Sequence, residues 1–198
     1  MHGLFNRSIE RFVRDTYGGD IWLGVIQHLD LEFIEFEAML IYDDEITTRL
    51  LDELSAILGQ THEDILEDIG TYLVSHQNSE AVRRLLRFSG VTFLDFLHSL
   101  DDLPARSKLA VSDLVLPAME LREISPDYFC LTVQSDQLPI QGFGHVVLGL
   151  LRAMADDYGA LVFLEHKESS DSRDVIGVRL LESAFASGRD FDLGARAG

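Results

Sequence analysis

The stretch that decides the fold is Thr92-Phe93-Leu94-Asp95-Phe96-Leu97-His98-Ser99-Leu100-Asp101-Asp102-Leu103-Pro104. Its apolar residues recur three and four positions apart, which predicts an amphipathic helix with one buried face. We expect Pro104 to end this helix near Leu103 or to kink it, because the proline ring clashes with the carbonyl four residues earlier and has no N–H to donate. Proline also offers no free nitrogen lone pair, so position 104 cannot supply a metal ligand of the imidazole kind.

The first part of the chain, residues 1–104, predicts a mainly helical subdomain. The acidic run Asp43-Asp44-Glu45 opens one helix, since carboxylates in a first turn favour the positive end of the helix dipole. Gly59 is expected to end that helix. Thr61-His62-Glu63-Asp64 has the spacing of a capping box, with Asp64 in place of the usual glutamate.

The second part, residues 105–182, predicts an α/β subdomain, because strand-like runs replace most of the helical periodicity. We therefore assign the chain to the α+β class, with a helical N-terminal part packed on a small antiparallel sheet that carries one long helix. Residues 1–182 form a single domain in this interpretation, and the Gly- and charge-rich residues 183–198 form a flexible tail. The predicted strands are 120–124, 128–134, 161–165 and 175–180, with a helix over 146–155 and a hairpin loop over 167–174.

The charge balance restricts the classes of partner. The chain carries 34 acidic and 16 basic residues, a net charge of −18, which repels nucleic acid phosphates and anionic lipid. Arg83-Arg84 and Arg87 form a local basic cluster, interpreted as a solvated helix face or a partner contact. Neither a signal peptide nor an apolar run of about 18 residues is present, so we expect a cytoplasmic protein without membrane contact. The single Cys130 is expected to be a small buried residue, and it fits a reducing compartment.

Several segments resemble, in order and spacing, the H-NOX family (heme nitric oxide/oxygen binding domains). The opening stretch is similar to the family's proximal helix, Thr-Phe-x-x-Phe-Leu-x-Asn-Leu-Asp-x-Leu-His, whose last residue ligates heme iron. Pro117 follows Pro104 by 13 residues, the spacing at which the family places a proline against the porphyrin. Other similar segments are Met1-His2-Gly3, Tyr42-Asp43-Asp44-Glu45, Ile69-Gly70-Thr71-Tyr72-Leu73-Val74, Leu85-Leu86-Arg87-Phe88-Ser89-Gly90 and Gly149-Leu150-Leu151-Arg152-Ala153-Met154-Ala155.

The resemblance spans residues 1–182 and implies an H-NOX-like fold, a heme cofactor and a gas-sensing or signalling role. It also implies a signalling partner, such as a histidine kinase or a cyclic-nucleotide enzyme. The pocket walls that it implies are Phe5, Ile9, Leu73, Leu103, Pro117 and Val146, with Pro104 and Ser135 at positions where the family contacts the cofactor; all six wall residues could equally be ordinary core.

Two departures from the family concern the groups that hold heme. Pro104 stands where the family has its iron-binding histidine. The Tyr-x-Ser-x-Arg motif, which in the family binds the heme propionates, matches only at Ser135, because Val133 replaces the tyrosine and Gln137 the arginine. In a register shifted by about three residues the three positions fall on Asp136, Leu138 and Ile140, and the arginine is missing there too.

Two other histidines are candidates for an unorthodox iron ligand. His98 lies six residues before Pro104, which turns it to a different helix face among polar neighbours. His145 begins the predicted 146–155 helix, where capping or packing is the simpler role. No other metal ligands are predicted, and no phosphate-binding loop, nucleophile elbow or zinc motif is recognisable, so we expect no enzyme activity.

Two functions therefore compete. The first is a heme-based NO or O₂ sensor that uses a non-standard axial ligand. The second is a heme-free regulatory or protein-interaction module, whose pocket is filled by its own side chains or by another apolar ligand. The second follows from the loss of both heme-binding groups.

Overall fold

The computed structural model describes residues 1–138, 140–170 and 172–191 of the 198-residue chain. Helices come first and the sheet second, so the predicted α+β class is confirmed. None of the described helices is long and apolar enough to cross a bilayer. The elements are α1 (Gly3–Thr16), α2 (Gly19–His28), α3 (Asp44–Leu58), α4 (His62–Ser75), a 3₁₀ turn (Gln77–Ser79), α5 (Glu80–Arg87), α6 (Phe93–His98), α7 (Leu103–Ala110), β1 (Ala118–Ser125), β2 (Tyr128–Gln134), α8 (Phe143–Tyr158), β3 (Leu161–Ser170) and β4 (Arg173–Glu182).

The helix boundaries that rest on capping chemistry are confirmed. The Asp43 side chain accepts a hydrogen bond from the Glu45 N–H at the start of α3. Gly59 ends α3 with φ of +66°, a left-handed conformation that glycine adopts without a steric penalty. Thr61 and Asp64 bond each other's backbone N–H groups at the start of α4, as a capping box does.

The sheet is antiparallel throughout, in the order β1-β2-β4-β3. Its inner face contributes Phe129, Leu131 and Val133 to the core, all nearly or fully buried. Cys130 alternates with them and is half-buried, so the expected full burial of this thiol is wrong. The sheet thus has one face on the core and one open to solvent, as antiparallel sheets commonly do.

The predicted hairpin loop over 167–174 is wrong. β3 runs to Ser170 and β4 starts at Arg173, and these two residues pair across the strands. A bulge between His166 and Glu168 accommodates the one extra residue.

Helices α4 and α8 cross at two glycines, and this contact joins the helical part to the sheet. A Cβ atom on Gly70 would lie 2.0 Å from the Val146 carbonyl oxygen, and one on Gly149 would lie 1.9 Å from the Glu67 carbonyl oxygen. Only glycine allows the two backbones to approach this closely.

The opening stretch does not form one helix, so the predicted boundary near Leu103 is wrong. α6 ends at His98, a turn follows, and Leu103 begins α7 with Pro104 in its first turn. The first N–H groups of a helix have no partner inside it, so a proline costs nothing there, and its fixed φ favours the helix. Pro104 thus starts a helix, where we expected it to end one.

Residues 183–191 return to the body of the domain. The N–H groups of Phe185 and Ala186 both donate to the Gly159 carbonyl, and the Arg189 N–H donates to the Asp157 carbonyl at 2.9 Å. The flexibility of this tail and the division of the domain at residue 104 stay predictions. Residues 192–198, also assigned to the tail, lie outside the described part.

Candidate functional site

An apolar cavity of about 410 Å³ lies between α1, α4, α5, α8 and the segment that leads from α6 to β1. That volume is within the range of small-molecule sites in proteins. Aliphatic side chains from each of these elements supply most of the lining, among them Ile69, Leu86, Leu100, Leu116 and Val147.

Five of the wall residues that the resemblance implies line this cavity: Phe5, Leu73, Leu103, Pro117 and Val146. They come from α1, α4, α7, the segment before β1, and α8. Their convergence from five parts of the chain supports the cavity as the counterpart of the family pocket. Whether it binds a ligand stays a prediction.

The sixth wall residue, Ile9, does not line the cavity, nor do the two cofactor-contact positions Pro104 and Ser135. Ile9 is fully buried in the core. Pro104 is half-buried in the first turn of α7, where its carbonyl accepts a hydrogen bond from the Ser107 hydroxyl at 2.9 Å. Ser135 holds the end of the β4 hairpin, since its N–H donates to the Ser172 carbonyl at 2.8 Å.

His2 lines the cavity and was missed by sequence reasoning. It is the N-cap of α1, and its Nδ1 accepts the Leu4 N–H at 3.1 Å. The neutral ring therefore carries its proton on Nε2. Nε2 is buried and lies 3.4 Å from Asp113 Oδ1, longer than an ordinary hydrogen bond, and it has no other partner among the described residues. The signal that could have found it is its position directly before the first helix.

The start of the chain is held tightly at this end of the cavity. The Met1 ammonium pairs with Asp44 and donates to the Tyr42 carbonyl at 2.7 Å. The Gly3 N–H donates to the Leu40 carbonyl at 2.7 Å. A Cβ on Gly3 would lie 2.1 Å from the Glu37 carbonyl oxygen, which explains the glycine in the Met-His-Gly start.

Charged side chains are confined to the mouth of the cavity. Asp44 and Asp113 are its acidic lining residues, and their side chains are 60% and 51% exposed. Among the described lining residues there is neither Lys nor Arg. Gln137 does line the cavity, and it takes the place of the family's arginine in the first of the two registers that the resemblance allows.

The histidines that sequence reasoning proposed as iron ligands lie elsewhere. His98 is exposed and packs edge-on against Phe129, with the ring centroids 5.9 Å apart. His145 packs against His166, with centroids 4.4 Å apart, and His166 Nε2 lies 3.0 Å from the buried Asp174 carboxylate. Neither His98 nor His145 lines the cavity.

The residues present do not fit heme bound in the family's usual way. Iron needs a ligand with a free lone pair, and the two propionates need cationic or neutral donors. His2 is the one histidine in the described lining, and its Nε2 carries a proton while Nδ1 caps α1. The thioethers of Met1 and Met119 also line the cavity, but two carboxylates and no guanidinium surround its mouth.

Helix α5 connects the cavity to the C-terminal segment. One of its faces lines the cavity through Val82, Leu85 and Leu86. An adjoining face carries Arg83, whose side chain is buried, so its expected role as part of a solvated face is wrong.

Arg83 joins three parts of the chain. Its Nε donates to Asp157 Oδ1 at 2.7 Å on α8, and its Nη2 donates to the Asp190 carbonyl at 3.0 Å. The guanidinium of Arg87, one turn further on, lies 5.1 Å from the ring centre of Phe191. This adjoining side of α5 therefore binds residues 190–191.

Comparison with known proteins agrees with this geometry. The chain matches the family described as Haem-NO-binding over residues 2–166. Soluble guanylate cyclase 89Da of Drosophila melanogaster is 23% identical over 161 residues, which are 81% of this chain and 24% of that protein. Soluble guanylate cyclase gcy-35 of Caenorhabditis elegans is 31% identical over 104 residues, 52% of this chain and 15% of that protein. The chain thus spans about a quarter or less of these relatives.

Solved H-NOX structures share the fold. A point variant of the T. tengcongensis H-NOX domain superposes with a TM-score of 0.76 at 18% identity, covering 93% of this chain and 100% of that one. An oxygen-binding H-NOX domain related to soluble guanylate cyclases gives a TM-score of 0.73 at 17% identity, with 96% and 100% covered.

H-NOX domains are sensor domains and not catalysts, which agrees with the expectation that this domain is not an enzyme. The family match covers most of the chain, and the fold and the order of the motifs agree with it. The chain therefore belongs to the Haem-NO-binding, or H-NOX, family.

Proposed function

We propose that this domain is a heme-free regulatory module of the H-NOX family, acting in the cytoplasm on a signalling protein. The observation that carries the proposal is the lining of the cavity, which has no free imidazole lone pair at His2 and neither Lys nor Arg among its described residues. Iron ligation and propionate binding are separate sources of heme affinity, and both lack their usual residues.

The two faces of α5 support a route for signalling in this proposal. A change in the filling of the cavity acts on Leu85 and Leu86, and the rigid helix transmits it to Arg83 and Arg87. Those arginines contact Asp190 and Phe191, the last residues that the structure describes. In the curated relatives the matched region is a minor part of a longer guanylate cyclase, so a cyclic-nucleotide enzyme or a histidine kinase is the kind of partner we propose.

A second candidate function is a heme-based NO or O₂ sensor, and the position of His2 favours it. His2 is buried and lines the cavity, which neither His98 nor His145 does. Iron binding at Nε2 requires that its proton leave or move to Nδ1, and the latter breaks the hydrogen bond that caps α1.

Absorbance of the purified protein separates the two functions. The protein is produced with a heme precursor in the medium, desalted, and then titrated with hemin. We expect no Soret band that survives desalting. A strong band that is retained in the wild type and lost in His2→Ala would establish the sensor and refute the heme-free module.

A double variant tests whether the expected lack of heme is caused by the loss of the iron-binding histidine and the propionate-binding arginine. Leu103 and Ser107 line the cavity, and position 104 lies on their flank of α7. Pro104→His with Gln137→Arg should therefore raise heme affinity, whereas His98→Ala with Gln137→Leu should not. If the first variant folds and gains no heme affinity, the loss of these groups does not explain the missing cofactor.

A further inference from the structure

The cavity has an apolar interior and a polar mouth with an unusual pair of groups. His2 Nε2 is a buried donor without a hydrogen-bond partner among the described residues. Asp113 Oδ1, which is an acceptor, lies 3.4 Å away and has no other polar contact in that part of the chain. The buried Nε2–H is therefore unsatisfied, which costs free energy, whereas the half-exposed Asp113 carboxylate is open to solvent and free to accept a further hydrogen bond.

No neighbouring cation among the described lining residues neutralises the Asp113 carboxylate of this pair. Asp44 is neutralised by the Met1 ammonium. Neither Lys nor Arg lies among the described lining residues, so the Asp113 carboxylate keeps an uncompensated negative charge at the mouth. An anionic head group would meet repulsion there. A cationic ammonium would gain only a weak ion pair with the half-exposed Asp113 and would offer no acceptor to the Nε2–H donor.

A hydroxyl group satisfies both members of the pair. Its oxygen accepts a hydrogen bond from His2 Nε2–H, and its proton is donated to Asp113. The two atoms are 3.4 Å apart, so an oxygen beside them can reach both at about 2.8 Å, and a separation of about 4.5 Å would bring the two bonds to the tetrahedral angle at oxygen. The rest of such a molecule would occupy the aliphatic interior.

We propose that the cavity binds an uncharged lipophilic alcohol, with its hydroxyl bridging His2 and Asp113 and its hydrocarbon body against Leu73, Val147 and Leu150. This inference rests on the proposed heme-free function and names the ligand class of the same cavity. It excludes fatty acids, whose carboxylate would face Asp113.

Competitive displacement tests the head group. The neutral fluorophore N-phenyl-1-naphthylamine is bound to the desalted protein and displaced at neutral pH by 1-decanol, decylamine or decanoate, each below its micelle concentration. We expect decanol to bind about three- to ten-fold tighter than either charged analogue, the effect of one or two hydrogen bonds. Tighter binding of decylamine or decanoate overturns the proposal, as does the absence of any displacement.

Two substitutions locate the hydroxyl site. His2→Asn keeps a side chain that caps helices well but removes the imidazole donor. Asp113→Asn removes the charge at nearly constant shape. Each should reduce the preference for decanol over decanoate, whereas Asp30→Asn, which changes the net charge equally and does not line the cavity, should leave it unchanged. An unchanged preference in both mouth variants overturns the assignment.

A cavity-filling variant locates the hydrocarbon site. Leu150→Trp should abolish fluorophore binding, and Leu181→Trp, on an exposed position of β4, should not. Leu150→Phe replaces the first variant if circular dichroism shows that it does not fold. Binding that survives filling of the cavity refutes the proposal. A colourless protein that binds no alcohol refutes this inference alone, whereas a stable Soret band refutes the proposed function.

Discussion

Gly3 shows how one side chain fixes the geometry of the cavity mouth. Its missing Cβ allows α1 to start directly beneath the Glu37 and Leu40 carbonyls, whose oxygens would lie 2.1 Å and 2.8 Å from that atom. These are backbone atoms, so no side-chain rotation can relieve the clash. The first turn of α1, with His2 at its cap, therefore depends on glycine at this position.

We expect Gly3→Ala to lower the free energy of unfolding by about 1–3 kcal/mol, the usual cost of overpacking. Urea denaturation followed by circular dichroism measures the change. Gly24→Ala in α2 is the matched control, since a Cβ there meets no atom within 4 Å. That substitution should be neutral or stabilise by about 0.5–1 kcal/mol, because alanine favours a helix. Equal effects of the two variants would contradict the steric argument.

Tyr72 gives a prediction about pH. Burial, the hydrogen bond that its hydroxyl donates to Asp15 and the negative charge of Asp15 raise its pKa from 10.0 to about 12. The folded state thus holds the phenol proton more tightly than the unfolded state does. Its contribution to stability is complete below pH 10 and is lost as the pH rises from 10 to about 12.

Urea denaturation at several alkaline pH values tests this linkage. The free energy of unfolding of the wild type should fall across that interval, and Tyr72→Phe should fall less steeply. Tyr17 and Tyr158 also have raised pKa values and contribute to the slope in both proteins, so the difference between the two curves isolates Tyr72. Parallel curves would show that the Tyr72–Asp15 hydrogen bond does not affect alkaline stability.

At the scale of the elements, the α4–α8 crossing determines the shape of the cavity. Both helices line it, α4 through Ile69 and Leu73 and α8 through Val146 and Leu150. The glycines at the crossing set the separation of these walls. Gly149 is the tighter of the two contacts, since its Cβ would lie 1.9 Å from the Glu67 carbonyl oxygen.

We expect Gly149→Ala to force the two helices apart, to destabilise the domain by about 1–3 kcal/mol and to enlarge the cavity. Denaturation measures the first effect, and fluorophore binding at a temperature where the variant is fully folded measures the second. Ala153→Gly, one turn further along α8, changes the same helix without a clash at the crossing, and should cost about 0.5–1 kcal/mol from helix propensity together with the loss of one buried methyl group. If the Gly149→Ala variant bound the fluorophore as tightly as the wild type, the crossing of α4 and α8 would not determine the shape of the cavity.

Sequence reasoning succeeded where the cause of an element is local. The caps at Asp43, Gly59 and Thr61 depend on residues within one turn, so they could be predicted. It failed at Pro104, because proline suits both the residue after one helix and the first turn of the next, and only the packing of α7 decides between them. The length of β3 was missed for a similar reason, since pairing with β4 overrides the polar composition of residues 167–170.

The residues of the candidate site also fall into those that sequence reasoning could find and those that it missed. Phe5, Leu73, Leu103, Pro117 and Val146 were expected from the resemblance and do line the cavity, and their role in binding a ligand stays a prediction. His2 could not be assigned in this way. Its place at the cavity depends on the close approach at Gly3 and on the loop that ends at Tyr42, which are contacts between distant parts of the sequence. Arg83 was misassigned because its partner Asp157 lies 74 positions away.

At the scale of the whole molecule, charge is the dominant feature. Some arginines neutralise buried carboxylates. Arg7 and Arg14 both form ion pairs with the buried Glu10, and Arg83 forms one with the buried Asp157. Even if each of the 16 basic residues paired with one acid, 18 carboxylates would remain without a cation. The folded state holds these charges closer together than the unfolded chain does, so their repulsion opposes folding.

We therefore expect the melting temperature to rise with ionic strength. The Debye length shortens from about 30 Å at 0.01 M salt to about 10 Å at 0.1 M, which screens repulsion between exposed carboxylates more than it weakens the buried ion pairs. Thermal denaturation in sodium chloride measures the effect, and tetramethylammonium chloride is the control, since a similar rise with both cations identifies screening and excludes a specific sodium site. A melting temperature that falls with salt would mean that surface ion pairs outweigh the net repulsion, in spite of the 18 excess negative charges.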